Sequence, residues 1–326
     1  MTLRAAKIAL AATLLGLTQS LAAGSAASAT EWLDRMSAAM SQMSYQGTFV
    51  YVQGDHVETM RVTHVSDESG VRERLFSVSG EQREILRDSK GIRWVQGKDH
   101  SVMEDPAFGR SFFPEISIEL SEADTSVYRF KLGGSERIAG HNGRQVRIIP
   151  LDQFRYGYSL WLEEHSALLL KWELTDNTQK RLAKLMFTDL RLGSEVDSNE
   201  LRSANSLKEY KKLESRLPSG GSLSTSNPKW QASALPPGYR LTSHRYLGKS
   251  ERDIYEHLVY SDGLAAVSVY VESNDEDTSN QKATTSRMGT AHVYSRVSKG
   301  VTITVVGDVP AVTVQAIGDA VRSKNP

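Results

Sequence analysis

Apolar and polar residues alternate most strictly in residues 157–176, so this stretch predicts its secondary structure most clearly. Two runs with a period of two flank a short polar turn at residues 163–166, and that period places alternate side chains on opposite sides of a β-sheet. One side is polar apart from Trp161 and Leu169. The other side is apolar and comprises Tyr158, Leu160, Leu162, Leu168, Leu170, Trp172 and Leu174. An apolar sheet side must be covered by a helix, a second sheet or a molecule outside this chain, so an ordinary core and a ligand cavity are both open interpretations.

The first two-thirds of the chain repeats this alternation between turn-forming residues, a pattern typical of an antiparallel meander. Strands are predicted at residues 45–53, 57–65, 71–78, 83–87, 92–96, 127–132, 144–150 and 182–189. Before them, Thr30 is a suitable cap for a helix, and Glu31 and Asp34 suit its first turn. The apolar stripe of this helix is Trp32, Leu33, Met36, Met40 and Met43. The pattern predicts a curled sheet whose apolar face one helix covers only in part.

The segment at residues 104–124 has no sustained period but is rich in large apolar side chains. Apolar side chains in a segment with little regular structure need a surface to pack on. Two interpretations stay open: a packed loop, or a mobile lid over the uncovered sheet face. The lid candidates are Phe108, Phe112, Phe113 and Ile116.

A polar linker at residues 201–229 separates two predicted domains, residues 30–200 and residues 230–322. Its Gly- and Ser-rich part, residues 217–228, has almost nothing that could form a core. The second domain is predicted to be a smaller α+β unit with strands at residues 239–247, 254–261, 265–272, 291–297 and 301–306. Asp308 and Pro310 suit the start of a terminal helix.

The N-terminal segment, residues 1–29, has the pattern of a secretory signal peptide. Arg4 and Lys7 precede an apolar run that is too short to span a bilayer, and cleavage is expected between residues 22 and 29, after Ala22 or Ala29. An uncleaved membrane anchor is the alternative. The chain has no cysteine, so neither a disulfide nor a lipid-modified N-terminal cysteine is expected in the exported protein.

Charge and residue spacing favour binding over catalysis. With 39 basic and 39 acidic residues the formal net charge is zero, which argues against a nucleic-acid partner. The eight histidines are scattered without the spacing of a zinc site, so each is interpreted as a surface or turn residue. No nucleophile elbow is present, and no catalytic residue, metal or cofactor is expected.

Several stretches together resemble one family along nearly the whole mature chain and in the right order. They are "QGTFVY" at 46–51, "VRERL" at 71–75, "RYGYSLWLEEHSALLLKWEL" at 155–174, "LPPGYRLT" at 235–242, "YSDGLAAVSVYVE" at 260–272 and "GVTITVVGDVP" at 300–310. This set resembles the RseB/MucB family of periplasmic negative regulators of a sigma-E/AlgU-type envelope-stress sigma factor.

The resemblance implies a fold, a partner and a ligand. It implies a half-open antiparallel β-barrel similar to the LolA/LolB/LppX carriers, followed by a smaller sheet domain with a terminal helix. It implies a soluble periplasmic protein that binds an RseA/MucA-like anti-sigma factor, shields it from regulated proteolysis and is released by lipid or lipopolysaccharide intermediates. The cavity candidates are then Leu160, Leu162, Leu168, Leu170, Trp172 and Leu174.

Two other functions and one question of assembly stay open at this point. A periplasmic lipid or lipoprotein carrier would use the same cavity, but it would not need about a hundred further residues behind a linker. An enzyme is the third possibility. A homo-oligomer is possible.

Overall fold

In a computed structural model, the chain is described at residues 28–97, 101–105, 124–193, 196–203, 211–213, 227–247, 255–273, 282–298 and 300–324. The predicted lid candidates, Phe108, Phe112, Phe113 and Ile116, lie outside these residues, as do residues 1–27 of the predicted signal segment at residues 1–29.

The first domain is built on one long antiparallel sheet. Its strands are β1 (Tyr45–Gln53), β2 (His56–Asp67), β3 (Gly70–Ser77), β4 (Arg83–Asp88), β5 (Gly91–Gln96), β6 (Ser101–Asp105), β7 (Tyr128–Ile138), β8 (His141–Pro150), β9 (Gly157–Glu163), β10 (Leu169–Thr175), β11 (Arg181–Leu192) and β12 (Lys211–Leu213). They lie in the order β12-β6-β5-β4-β3-β2-β1-β11-β10-β9-β8-β7, and only β12 is parallel to its neighbour. Two meanders, β1–β6 and β7–β11, therefore join where β1 pairs with β11.

The sheet curls without closing. Its two end strands, β7 and β12, are not paired with each other among the described residues. At the β7–β8 turn, His141 Nε2 lies 3.2 Å from the Leu190 carbonyl oxygen of β11, so one end of the sheet folds back over its middle. This arrangement confirms the predicted half-open barrel.

Helix α1 (Ala29–Gln42) covers part of one sheet face. Thr30 was the predicted cap, and this is wrong: Ser28 is the N-cap, and its Oγ accepts from Glu31 N at 3.2 Å while the Glu31 carboxylate accepts from Ser28 N. The reciprocal pair is a capping box, which satisfies two backbone donors that the first helical turn leaves open. Leu33 and Met36 are buried against strands β8–β10.

The second domain is a six-stranded antiparallel sheet with one helix. Its strands are β14 (Arg240–Leu247), β15 (Tyr255–Ser261), β16 (Ala266–Ser273), β17 (Thr284–Met288), β18 (Ala291–Ser298) and β19 (Val301–Gly307), in the order β14-β15-β16-β19-β18-β17. A two-stranded sheet of β13 (Trp230–Ala232) and β20 (Val321–Ser323) adjoins it. All five predicted strands are present, whereas β13, β17 and β20 were not predicted.

Helix α2 (Ala311–Ala320) packs on this sheet at very short range. A Cβ atom added at Gly318 would lie 2.4 Å from the Tyr294 ring, so only glycine permits this approach. Asp308 was predicted to cap the helix, and this is wrong: Pro310 is the N-cap, and Asp308 accepts a 2.6 Å hydrogen bond from Thr290 Oγ1.

Candidate functional site

The hairpin of β9 and β10 that the sequence singled out is present, but a bulge changes which side its residues face. Leu169 pairs with Leu162 and Lys171 pairs with Trp161, so Leu170 has no partner across the strand pair. Paired residues share a face, and the extra residue reverses the alternation at this point. The prediction of one apolar face containing Leu168, Leu170, Trp172 and Leu174 is therefore wrong for the first two.

Leu169 and Leu170 exchange the sides that the alternation predicted. Leu169 joins Leu160 and Leu162 in the core under α1. A Cβ atom added at Gly143 would lie 3.1 Å from Leu170 Cδ1 and 3.4 Å from Trp161 Cβ, which places Leu170 beside Trp161 instead. The sheet thus has apolar packing on both sides at this hairpin.

Most of the cavity candidates are core residues. Leu160, Leu162, Leu168 and Leu170 have 0% of their surface exposed, and Leu174 has 4%. Trp172 differs because it is half-buried and touches three separate core clusters. Its indole Nε1 is buried without a hydrogen-bond partner in the described part of the chain. Trp172 alone among the six therefore offers an unused polar group.

Aromatic side chains surround Trp172 at the end of the sheet face that approaches the second domain. The Tyr51 ring centroid lies 6.2 Å from the Trp172 ring. Burial raises the pKa of Tyr156 to about 12, although Arg287 acts in the opposite direction. Burial also raises the pKa of Tyr158, and the carboxylates of Asp262 and Asp308 in the second domain add to the rise. These tyrosines remain neutral hydrogen-bonding groups at physiological pH.

The two domains meet at a buried ion pair. Arg155, between β8 and β9, has no exposed surface, and its Nη1 donates to Asp262 Oδ2 of the second domain at 2.8 Å. Its Nε donates to Asp152 Oδ1 at 2.9 Å, and its Nη2 donates to the carbonyl of Pro237. Burial alone would lower the pKa of Arg155, but the hydrogen bond to Asp152 and the charge of Asp262 raise it, so the side chain stays charged.

Both charges of this pair have several further partners, as buried charges need. The guanidinium carbon lies 5.2 Å and 5.3 Å from the ring centroids of Tyr128 and Tyr239. Asp262 Oδ2 also accepts from the Tyr128 hydroxyl at 2.9 Å, and its Oδ1 accepts from the backbone N–H groups of Leu264 and Ala265.

Further contacts extend the junction around the Arg155 pair. The Phe154 carbonyl accepts from Thr313 Oγ1 at 2.7 Å and from the Tyr239 hydroxyl at 3.3 Å. Gln53 Nε2 donates to Thr290 Oγ1 at 3.1 Å. Leu264 of the second domain packs on the core under α1. The domains are thus joined by packing and hydrogen bonds as well as by the chain between them.

Sequence reasoning missed this junction. Arg155 and Asp262 both lie in stretches that carried the family resemblance, but 107 positions separate them and no spacing rule pairs them. The interpretation of every histidine as a surface or turn residue is also wrong: His64 is 2% exposed, and its Nδ1 lies 2.9 Å from Glu73 Oε2.

Two features are absent from the described residues. No three or more of their His, Asp or Glu side chains are grouped so as to hold a metal ion. No helix among them is both long and apolar enough to cross a bilayer.

Comparison with known proteins gives consistent matches over both domains. The family model of the MucB/RseB N-terminal domain matches residues 28–205, and that of the MucB/RseB C-terminal domain matches residues 224–322. The sigma factor AlgU regulatory protein MucB of Pseudomonas aeruginosa is 29% identical over 316 residues, covering 95% of each chain. The sigma-E factor regulatory protein RseB of Haemophilus influenzae is 29% identical over 325 residues, covering 94% of this chain and 95% of its own.

Comparison with solved structures also matches this chain to MucB. The complex structure of Pseudomonas aeruginosa MucA/MucB matches with a TM-score of 0.71 and 28% identity, covering 91% of this chain and 99% of that chain. A crystal structure of MucB matches with a TM-score of 0.61 and 26% identity, covering 91% of this chain and 98% of that chain.

Proposed function

Because the chain belongs to the MucB/RseB family, we propose that it is a periplasmic regulatory binding protein that holds the exported segment of a MucA-like anti-sigma factor. By holding that segment it restrains an envelope-stress sigma factor. The names of the relatives in Pseudomonas aeruginosa and Haemophilus influenzae, both sigma factor regulatory proteins, support this function.

One observation carries the proposal. The likeness to the MucA/MucB complex covers 91% of this chain, so it includes both domains and the residues between them. A resemblance limited to one module would support only a shared fold, and fold alone does not define function. A likeness over both modules supports a shared way of binding.

The junction suggests how the client is held. An exported segment that is poorly ordered alone can lie across both domains, because an extended chain contacts a wide surface. The Arg155–Asp262 pair keeps the two domains adjacent, so that contacts from both are available to one client. We assign the half-buried ring of Trp172 to the surface that contacts the bound molecule.

Two finer parts of the proposal concern regulation. The held segment is shielded from the site-one protease, and a lipid or lipopolysaccharide intermediate releases it. Linkage requires that this effect be reciprocal, so the bound segment must weaken lipid binding by the same factor. A simple lipid carrier is less well supported, because five of the six cavity candidates are filled core positions.

The test is a titration of the fluorescently labelled periplasmic segment of the organism's own MucA-like protein with the full-length chain, read by anisotropy. Trp172→Phe shortens the ring and is expected to weaken binding by roughly twofold to tenfold, because less apolar surface is buried in the contact. The matched control is Trp161→Phe on the opposite side of the same hairpin, which should bind as the parent chain does. Both variants are checked for folding by circular dichroism.

Two further measurements test protection from the protease and release by lipid separately. The bound segment should be cut by the protease more slowly than the free segment, and added lipopolysaccharide should lower its affinity. No binding by the folded parent chain would overturn the whole proposal. Binding without protection, or without any effect of lipid, would overturn only the corresponding part.

A further inference from the structure

The turn between β15 and β16 of the second domain reaches into the first domain. Asp262 Oδ1 accepts from the backbone N–H groups of Leu264 and Ala265 at 3.0 Å and 2.8 Å, which fixes the shape of this turn. The turn presents the half-buried side chain of Leu264 to the core under α1, where it packs. The second domain therefore supplies part of the apolar surface of a core that otherwise belongs to the first domain.

Tyr128, at the start of β7, belongs both to this core and to the junction between the domains. Its ring is 2% exposed and lies in the same core cluster as Leu33 and Met36 of α1. Its hydroxyl donates to Asp262 Oδ2 of the second domain at 2.9 Å. Close packing fixes the ring and a hydrogen bond of normal length fixes the hydroxyl, so movement of this side chain disturbs both contacts.

Val127 makes a second contact between the same core and the second domain. It is buried in the cluster under α1. A Cβ atom added at Gly238 of the second domain would lie 3.2 Å from Val127 Cγ2. The φ of Gly238 is +80°, which other residues rarely adopt, so its backbone approaches Val127 with no side chain between them. The domains are thus closely packed at two successive residues, Val127 and Tyr128.

Helix α1 depends on this core for its stability. It has 14 residues, close to the length below which an isolated helix is marginal in water, so the packing of its apolar stripe stabilises it. If the second domain moved away, Leu264 would leave the core, and the side chains around it would lose those packing contacts. The helix would then be held less firmly, although none of its own side chains had changed.

We propose that the second domain, through Leu264 and Asp262, is a latch on α1: its docking holds the helix on the sheet, and displacement of the helix releases the second domain. Coupling of this kind is reciprocal, so each event favours the other by the same factor. An apolar ligand that enters between α1 and the sheet therefore opens the junction from within the first domain, without touching Arg155. The latch consists of contacts inside one chain, so it does not depend on the proposed client.

One arm of the test measures α1 in the full-length chain by hydrogen exchange and mass spectrometry. Leu264→Ala shortens the side chain that enters the core, and Tyr128→Phe keeps the ring but removes the hydroxyl that binds Asp262. Each variant is expected to speed exchange of the α1 amides roughly threefold to tenfold. Exchange in β11 and β19, at the middle of each sheet, should stay as in the parent chain, because the effect is local.

Each of these variants has a matched control in the second domain. Val297→Ala shortens a half-buried side chain at the end of β18 that lies away from the junction. Tyr270→Phe removes a hydroxyl from the sheet face opposite α2. Both controls should leave exchange of the α1 amides as in the parent chain. Because Tyr128→Phe leaves the core ring in place, it keeps the test valid even if Leu264→Ala folds poorly.

The second arm starts from α1 and measures the separation of the domains. The chain has no cysteine, so Arg137→Cys and Lys282→Cys, one exposed position in each domain, can carry a pair of spin labels. Met40→Ala removes a half-buried side chain of α1 from the shared core and is expected to broaden the distribution of distances between the labels. Val95→Ala, in a separate small cluster of the first domain, should leave that distribution as in the parent chain.

Both arms must respond, because coupling acts in both directions. The proposal is overturned if α1 exchanges in Leu264→Ala and Tyr128→Phe as it does in the two controls. It is also overturned if Met40→Ala and Val95→Ala give the same distances between the labels.

Discussion

At the scale of single residues, Arg155 is the position where one substitution should matter most. Arg155→Met removes one member of the pair and leaves Asp262 buried without its counter-charge. The loss of one partner from a buried ion pair typically costs about 3–5 kcal/mol. We expect a fall of that size in the free energy of unfolding, measured by urea denaturation.

The double variant Arg155→Met with Asp262→Asn separates two causes of the lost stability, the uncompensated charge of Asp262 and the lost packing of the Arg155 side chain. The amide introduced by Asp262→Asn carries no charge, yet its oxygen can still accept from the N–H groups of residues 264 and 265. Part of the lost stability should therefore return. Arg137 is exposed, so Arg137→Met should change the free energy of unfolding by about 0.5 kcal/mol or less. Equal stability of Arg155→Met and Arg137→Met would contradict a stabilising role for the junction.

A second residue, His257, should make the stability depend on pH. Burial, and after it the charge of Arg245, lowers the pKa of His257 to about 4 in the folded chain, whereas an unfolded histidine titrates near 6.5. Between these two values the unfolded chain binds a proton that the folded chain does not. Stability should therefore be full above about pH 6.5 and fall as the pH drops towards 4.

The effect should be on the order of 1 kcal/mol, because solvent screens a half-buried ring. Urea denaturation from pH 7 to pH 4.5 would measure it. His257→Gln should flatten this part of the profile, while His56→Gln at an exposed position should leave it as in the parent chain. Parallel profiles for the parent chain and His257→Gln would show that another group is responsible.

At the scale of elements, α1 bears on where the predicted signal peptide would be removed. The sequence allows cleavage after Ala22 or after Ala29. Cleavage after Ala29 would remove the Ser28 cap, which is worth about 1 kcal/mol, together with the buried Ala29. We therefore predict that the mature chain begins directly after Ala22, which intact mass measurement of the exported protein would decide.

Matched variants test the cap itself. Ser28→Ala should lower the free energy of unfolding by about 1 kcal/mol. Ser37→Ala, at an exposed site inside the helix, should leave it unchanged or raise it slightly, because alanine has the better helix propensity. A mature chain that starts after Ala29 and is as stable as one that starts after Ala22 would contradict the importance of Ser28.

Elements were predictable where the alternation was regular. Strand β1 was placed at its observed bounds, since its aromatic and β-branched residues follow the helix directly and end at the turn signal Gly54–Asp55. Strand β17 was missed because all five of its residues are exposed, and an exposed edge strand shows no apolar period. The bulge at Leu170 could not be read from a run of three leucines, in which either phase of the alternation is equally apolar.

At the scale of the whole molecule, the fold class and the order of two domains followed from the sequence, whereas the binding surfaces did not. The Arg155 junction combines residues that are far apart in the chain. Local patterns report which side of a strand is buried, but not which distant loop completes a site. Trp172 was singled out for its place in an alternating strand, and what distinguishes it, the unpaired Nε1, depends on its neighbours in space.

The pairing of β12 with β6 limits how far the two domains can travel apart. Residues 214–226 connect β12 to the next described residue, Asn227, and thirteen extended residues reach about 45 Å at most. If β12 left the sheet, the connection would run from Ser203 and include twenty-three residues, with a reach of about 80 Å. Three residues of parallel strand therefore nearly halve the largest separation that the connection between the two domains permits.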